Sequence, residues 1–452
     1  MSERSVAVIG AGITGLTAAY RLQSQGHQVE VFEASDRVGG SIHTVHIGDA
    51  LIDIGPSGIL ASRQSVIKLV SDLGLSDAWL EACPDSNRRY IYYQGMLNEV
   101  PTSPPRLLLS SWLPLSAKWK ILTEFFRPAK KTDSVESLHE LVERRFGSFV
   151  AEVMVDSMVS GIHAAPAQTL EAKAAFPILP NYESEHGSIL RGLIQAMKSR
   201  RRQLPEQTTQ LKGMLNLREG LEMLPKTLAN QIDVIHLEAP VLSLDRREDK
   251  QWNVESRLGT RGYSDVLLAL PAPQAAICLS KAQPELSKLL HEIEYTPLGN
   301  VILYFDSRIE TPPGFGYLSP GIEGRPMLGC LFLNRIFPEL VPETCTVLRA
   351  FVGGQRAKEE LDLSDGALVE MALKELEITL EQSLPTPTST LVLRWPQSLP
   401  FYNKGTCQRW EAIEAIVKQT PGLELGGNWI HGASVADCVS RGEYLAGRVQ
   451  SS

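Results

Sequence analysis

Three glycines at fixed offsets, in Gly10-Ala11-Gly12-Ile13-Thr14-Gly15, and an acid further on, Glu33, are the first residues of the chain whose spacing could do chemistry. That chemistry is the holding of a dinucleotide. Gly10 permits a tight turn, Gly12 lets backbone approach a pyrophosphate, and Gly15 lets a helix pack closely on a strand. Ile13 and Thr14 open the helix, so its free N–H groups face the phosphates. Glu33, with Ala34 beside it, would accept hydrogen bonds from ribose hydroxyls, and its charge disfavours a 2′-phosphate.

These residues need a particular frame. Val6-Ala7-Val8-Ile9 reads as a short central parallel strand, Leu16 to Gln25 as a helix ended by Gly26, and Gln28 to Phe32 as a second strand. The unit is β-α-β, and both nicotinamide and flavin dinucleotides use it. The continuation separates them: Arg37-Val38-Gly39-Gly40-Ser41, then His43-Thr44, then Asp53-Ile54-Gly55-Pro56-Ser57-Gly58. This tail resembles the extended fingerprint of FAD-dependent amine oxidases and their relatives, with Ser41 where many carry Lys or Arg. The resemblance implies non-covalent FAD, contacted at Arg37, Gly40, Ser41, Gly55, Pro56, Ser57 and Gly58. It also implies two returns of the chain to the cofactor. One lies in Gly213 to Glu255, with a helix at Leu221 to Asn230, strands at Ile232–Leu237, Val241–Leu244 and Trp252–Val254, and Val241 against the adenine. The other follows Leu425-Gly426-Gly427, placing Asn428, Ala433, Ser434 and Val435 near the flavin. No metal is expected.

Between the returns, Arg88-Arg89-Tyr90-Ile91-Tyr92 is followed by Ser160-Gly161-Ile162-His163-Ala164-Ala165-Pro166 and Ala174-Ala175-Phe176-Pro177. Further on come Gly314-Phe315-Gly316-Tyr317-Leu318, Leu328-Gly329-Cys330-Leu331-Phe332, Val352-Gly353-Gly354 and Arg394-Trp395-Pro396. In order and over nearly the whole chain, this series resembles the oxygen-dependent protoporphyrinogen oxidases. It departs from their pattern at Ala165-Pro166-Ala167, Phe401 and Thr406. The resemblance implies an α/β fold: a discontinuous Rossmann-like FAD domain (1–85, 211–259 and 401–452), a helical insertion subdomain (86–210) and a mixed-sheet substrate domain (260–400). It implies oxidation of a porphyrinogen in two-electron rounds, with dioxygen as acceptor and hydrogen peroxide as product. Arg89 would pair with a propionate. Leu318 and Phe332 would wall the pyrrole rings, Gly161 would leave backbone space beside the flavin, and Trp395 would join the cofactor contacts. Partners implied are the porphyrinogen, dioxygen, a ferrochelatase as next enzyme and a second copy of the chain in a homodimer.

The chain has 452 residues and a net charge of −8, which argues against a nucleic-acid partner. Lys198 to Arg202 reads as solvated charge at a helix end. Six scattered cysteines, with no C-x-x-C pair, read as reduced thiols in a cytoplasmic protein. The average charge hides a basic stretch, Ser86 to Lys131, in which Trp112, Trp119, Phe125 and Phe126 alternate with Lys and Arg. Such a pattern suits peripheral contact with an anionic membrane, on the cytoplasmic face of the inner membrane. A helical subdomain packed on itself, with a solvated basic face, stays open beside it. Three other functions remain in view: a coproporphyrinogen oxidase, a flavin amine oxidase or carotenoid desaturase, and a non-enzymatic escort protein on the same scaffold. Cys407 lacks the Ser-Gly-Gly-Cys context of covalent flavin attachment.

Overall fold

Val6–Ile9 and Val266–Leu268 are uncharged apolar runs, as strands covered on both faces must be. In the computed structural model, which describes residues 4–101, 103–130, 134–203, 211–249 and 251–451, they lie side by side. The five-stranded sheet runs Ile235–His236, Gln28–Phe32, Ser5–Ile9, Asp265–Ala269, Leu423–Gly426, with every neighbouring pair parallel. Alternation along the first strand divides the core. Val6 and Val8 face the helices Ile13–Ser24 and Val435–Ser451, while Ala7 and Ile9 face Trp252, Ala276 and Leu425. The two helices approach closely because Gly442 has no side chain; a Cβ there would lie 2.5 Å from the Thr14 carbonyl oxygen.

The expected boundary at 260 is corrected by this pairing. Asp265–Ala269 sits between the first and last strands of the sheet, so the cofactor domain takes in a segment assigned from sequence to the substrate domain. The helix Met223–Ala229 and the strand Ile235–His236 are shorter than their sequence patterns suggested. Ile232 is drawn instead into the core beneath the helix Ile13–Ser24, and the Asp233 amide donates to the Gln23 side chain.

A seven-stranded mixed sheet forms the second layer, in the order Ser389–Pro400, Tyr295–Phe305, Thr346–Gly353, Met327–Phe332, Gly316–Leu318, Tyr90–Tyr93, Met96–Glu99. Leu368, Ala372 and Leu376 of the helix Asp365–Leu380 seal one face over Val301, Leu303 and Leu348. The hairpin Tyr90–Glu99 lies in the stretch expected to be helical; Tyr90 and Tyr92 are buried in this sheet's core, which explains the correction.

Among the described residues, most of the rest of that stretch, through Gln203, is helical and is tied down by a buried charge cluster. Glu124 and Arg145 are both fully buried and bonded to each other. The Glu124 carboxylate also receives the Ser188 hydroxyl and the Ile189 amide at the start of the helix Ile189–Gln203. One carboxylate thus joins the short helix Glu124–Phe126 to two longer ones. Removing one member of a buried pair leaves the other charge uncompensated, so Glu124→Ala should cost about 3–5 kcal/mol. Thermal and urea unfolding measure this; a loss below about 1 kcal/mol, the size of an exposed ion pair, would contradict the assignment of the cluster as the subdomain's anchor.

Candidate cofactor and substrate site

The glycine turn separates into two kinds of position. A Cβ on Gly10 would lie 2.5 Å from the Ala269 carbonyl oxygen, and one on Gly15 would sit on the Gly10 carbonyl oxygen. Gly10 is therefore demanded by the close approach of the turn to the strand Asp265–Ala269, and Gly15 by packing of the helix on the turn. Gly12 is different: its φ of −72° suits any residue, and a Cβ there would meet nothing within 4 Å. The Gly39–Gly40 backbone packs against Gly12: Gly39 is bridged to it in parallel, and a Cβ on Gly40 would stand 3.4 Å from the Gly12 Cα. Backbone bared on both sides is what a pyrophosphate requires, and Ile13 and Thr14 begin the helix behind it.

Glu33 follows the second strand. Its carboxylate accepts from the Ala11 amide at 2.7 Å and from the Ser35 amide at 2.9 Å. Its backbone receives Ala239 N–H and donates to His236, which brings the segment preceding Val241 alongside Glu33 and Ala34. Arg37 donates to the carbonyls of Gly40 at 2.7 Å and Ile42 at 3.3 Å, so this guanidinium shapes the loop. Ser41 meets the next loop directly, because a Cβ on Gly55 would sit on the Ser41 carbonyl oxygen. At the C-terminal return, Ser434 and Asp437 cap the helix Val435–Ser451 reciprocally, each side chain bonding the other's amide at 3.2 Å. The Tyr402 hydroxyl donates to the Asn428 carbonyl at 3.2 Å, ahead of Ala433. Trp395 stands apart from these, half-buried on the edge strand opposite Leu298.

Residues that would hold FAD thus converge from the turn at 10–15, the loops at 33–41 and 55–58, the segment at 239–241 and the helix start at 433–435. One member of the constellation was not foreseen. Arg349, on the strand Thr346–Gly353, reaches the 53–57 loop from the second sheet. The signal was present as a lone charge inside the apolar run Val347-Leu348-Arg349-Ala350-Phe351, since a buried charge demands partners.

On the substrate side, Gly161 lies in the helix Asp156–His163 and faces Leu318; a Cβ there would come within 2.7 Å of a Leu318 methyl. Arg89 precedes the strand Tyr90–Tyr93, which pairs with Gly316–Leu318, and its guanidinium stands 5.0 Å from the Phe315 ring centre. No carboxylate of the described residues pairs with it, and the residue is exposed. Phe332 is a correction. It is fully buried among Tyr317, Val301 and Leu348, because its place in the strand turns it to the sheet's core face. It packs the layer that carries Leu318 and does not form a wall.

Gly12→Ala should leave the apo-protein's melting temperature within about 2 °C, while weakening FAD binding at least tenfold. Gly15→Ala should lower the melting temperature outright. Equal loss of stability in both variants, by differential scanning fluorimetry with and without FAD, would contradict the separation drawn between them.

The family model for flavin containing amine oxidoreductases matches residues 13–450. A protoporphyrinogen oxidase 2, chloroplastic/mitochondrial, of Arabidopsis thaliana is 32% identical, over 98% of this chain and 93% of its own. The coproporphyrinogen III oxidase of Bacillus subtilis is 28% identical, over 98% and 97%. A crystal structure from Exiguobacterium sp. 255-15, assigned as a protoporphyrinogen oxidase, superposes with a TM-score of 0.83 at 24% identity, covering 100% of this chain and 99% of that one. The bared phosphate turn, the acid that follows it and the full-length match together place the chain in the flavin-containing amine oxidoreductase family, as an FAD-dependent oxidoreductase.

Proposed function

We propose that the protein is a porphyrinogen oxidase acting on protoporphyrinogen IX, with FAD held non-covalently. The observation that carries this is Arg89: a cation without a carboxylate partner among the described residues, set over an aromatic ring beside the strand that bears Leu318. An acidic, largely apolar substrate supplies what that corner lacks, a carboxylate for the guanidinium. The near full-length likeness to relatives named for porphyrinogen oxidation supports the same substrate class.

FAD held by these residues would supply the two-electron oxidation, with dioxygen as the final acceptor and hydrogen peroxide as the product. The protein's residues position and desolvate. Arg89 orients the tetrapyrrole through a propionate, and Leu318, seated against Gly161, supplies apolar contact. Tyr295 and Tyr402, both bonded to Asn428, stay protonated as hydrogen-bond donors, because burial raises their pKa values.

A peripheral membrane contact is proposed with the same site. Leu115, Trp119, Leu122 and Phe126 are exposed on the helix Leu115–Leu122 and the turn after it, with Trp119 68% and Phe126 83% accessible. Exposed Arg106 and Lys120 flank them, while Lys131 lies outside the described residues. Among the described residues no helix is long and apolar enough to cross a membrane. A surface of this kind binds by apolar insertion plus attraction to anionic headgroups. Flotation with phosphatidylglycerol vesicles should carry the protein upward, and Trp119→Asp/Phe126→Asp should remain at the bottom; equal flotation of both would contradict the contact.

Arg89→Ala should raise KM for protoporphyrinogen about tenfold to a hundredfold while kcat changes little, because the propionate contact is made equally in ground and transition states. Porphyrin fluorescence under air measures both constants. An unchanged KM would contradict the role of Arg89. A higher kcat/KM for coproporphyrinogen III than for protoporphyrinogen IX would overturn the choice of substrate.

A further inference from the structure

Arg349 is buried to 2% exposure, yet the described residues place no carboxylate in ion-pair contact with it. Its donors go to three backbone carbonyls and two neutral side chains. Nη1 donates to the Asp53 carbonyl at 2.7 Å and the Ser57 hydroxyl at 2.9 Å; Nη2 donates to the carbonyls of Ile54 at 2.8 Å and Gly55 at 2.9 Å. Nε reaches the Asn300 side-chain oxygen at 3.3 Å, and the guanidinium stands 5.1 Å from the Phe351 ring centre. Asp53, the nearest acid, is occupied by the Thr44 hydroxyl, the Asn216 amide and the Leu221 N–H.

A guanidinium usually balances a buried carboxylate, and this one balances a loop. Three consecutive carbonyls, from Asp53 to Gly55, are turned toward Arg349. In a trans peptide the N–H points opposite to the carbonyl, so the Gly55 N–H is turned away from Arg349. The Ile54 N–H is already used by the His43 carbonyl. The charge itself sits in a desolvated place, where its effect on a neighbouring group is far larger than in water.

We infer that Arg349 is a positioning residue for the flavin: it fixes the 53–57 loop that faces the cofactor and places a buried positive charge behind it, raising the flavin's reduction potential. This rests on the reading that residues 55–58 line the flavin. Reduction adds negative charge to the ring system, and a fixed cation in a low-dielectric setting favours the reduced form. Asp53, on the same loop, opposes that effect and limits its size.

The test compares the FAD-loaded wild type with Arg349→Met, Arg349→Lys and Asp53→Asn. Midpoint potentials come from dye equilibration, FAD dissociation constants from apo-protein reconstitution, and melting temperatures from the apo-proteins. Arg349→Met should lower the potential and weaken FAD about tenfold to a hundredfold. Arg349→Lys keeps the charge and loses the fork, so affinity should fall while the potential stays near wild type. Asp53→Asn should raise the potential. Opposite shifts in Arg349→Met and Asp53→Asn are the signature; if Arg349→Met does not fold, the Lys and Asn variants carry the comparison. Lower melting temperatures with potentials unmoved across the set would reduce Arg349 to a structural residue and overturn the inference. A wild type that takes up no FAD would overturn the functional proposal instead.

Discussion

The structure depends on how closely backbone must approach backbone at the first turn. Gly15 lies against the Gly10 carbonyl, and Gly10 against Ala269, with no room for a single carbon more. That contact sets the helix Ile13–Ser24 on the sheet, and Gly442 then seats the C-terminal helix against it. Two helix starts are thereby fixed at the carboxyl ends of one sheet's strands, which is where a dinucleotide would be held by N–H groups at both ends. Parallel strands cannot be joined by tight turns, so the long connections between them become the second sheet and the helical subdomain.

The same economy explains where each layer obtains its rigidity. The cofactor side is bound by backbone hydrogen bonds and charge-to-backbone contacts, with Glu33 on Ala11, Arg37 on Gly40 and Arg349 on the 53–57 loop. The helical subdomain relies on a buried ion cluster around Glu124, Arg144, Arg145 and Glu183. Its apolar side chains at Leu115, Trp119 and Phe126 are left on the surface because that cluster, with a few packed residues such as Leu113 and Ala117, holds the segment in place.

Much of the cofactor half was legible because its demands are local. Glycines at fixed spacing, a strand before them and an acid after the second strand can be read without knowing the rest. The boundary at 260 failed for a physical reason: Asp265–Ala269 is joined to the first strand by pairing across most of the chain, which no local pattern records. Phe332 and the hairpin at Tyr90–Glu99 went astray in the same way, since a strand's two faces and its sheet partners are settled by tertiary packing. Arg349 was visible as a charge in an apolar strand, but its partners are carbonyls almost three hundred residues earlier, as the separation of 296 from Asp53 records.

The central claim is that this site passes reducing equivalents from a porphyrinogen to bound FAD. Its most direct test is anaerobic mixing of the FAD-loaded protein with protoporphyrinogen IX, followed by absorbance and fluorescence together. The account predicts bleaching of the flavin band in step with the appearance of porphyrin fluorescence, and recovery of the band when air is admitted. A flavin band that stays oxidised while protoporphyrinogen remains unconverted would contradict it.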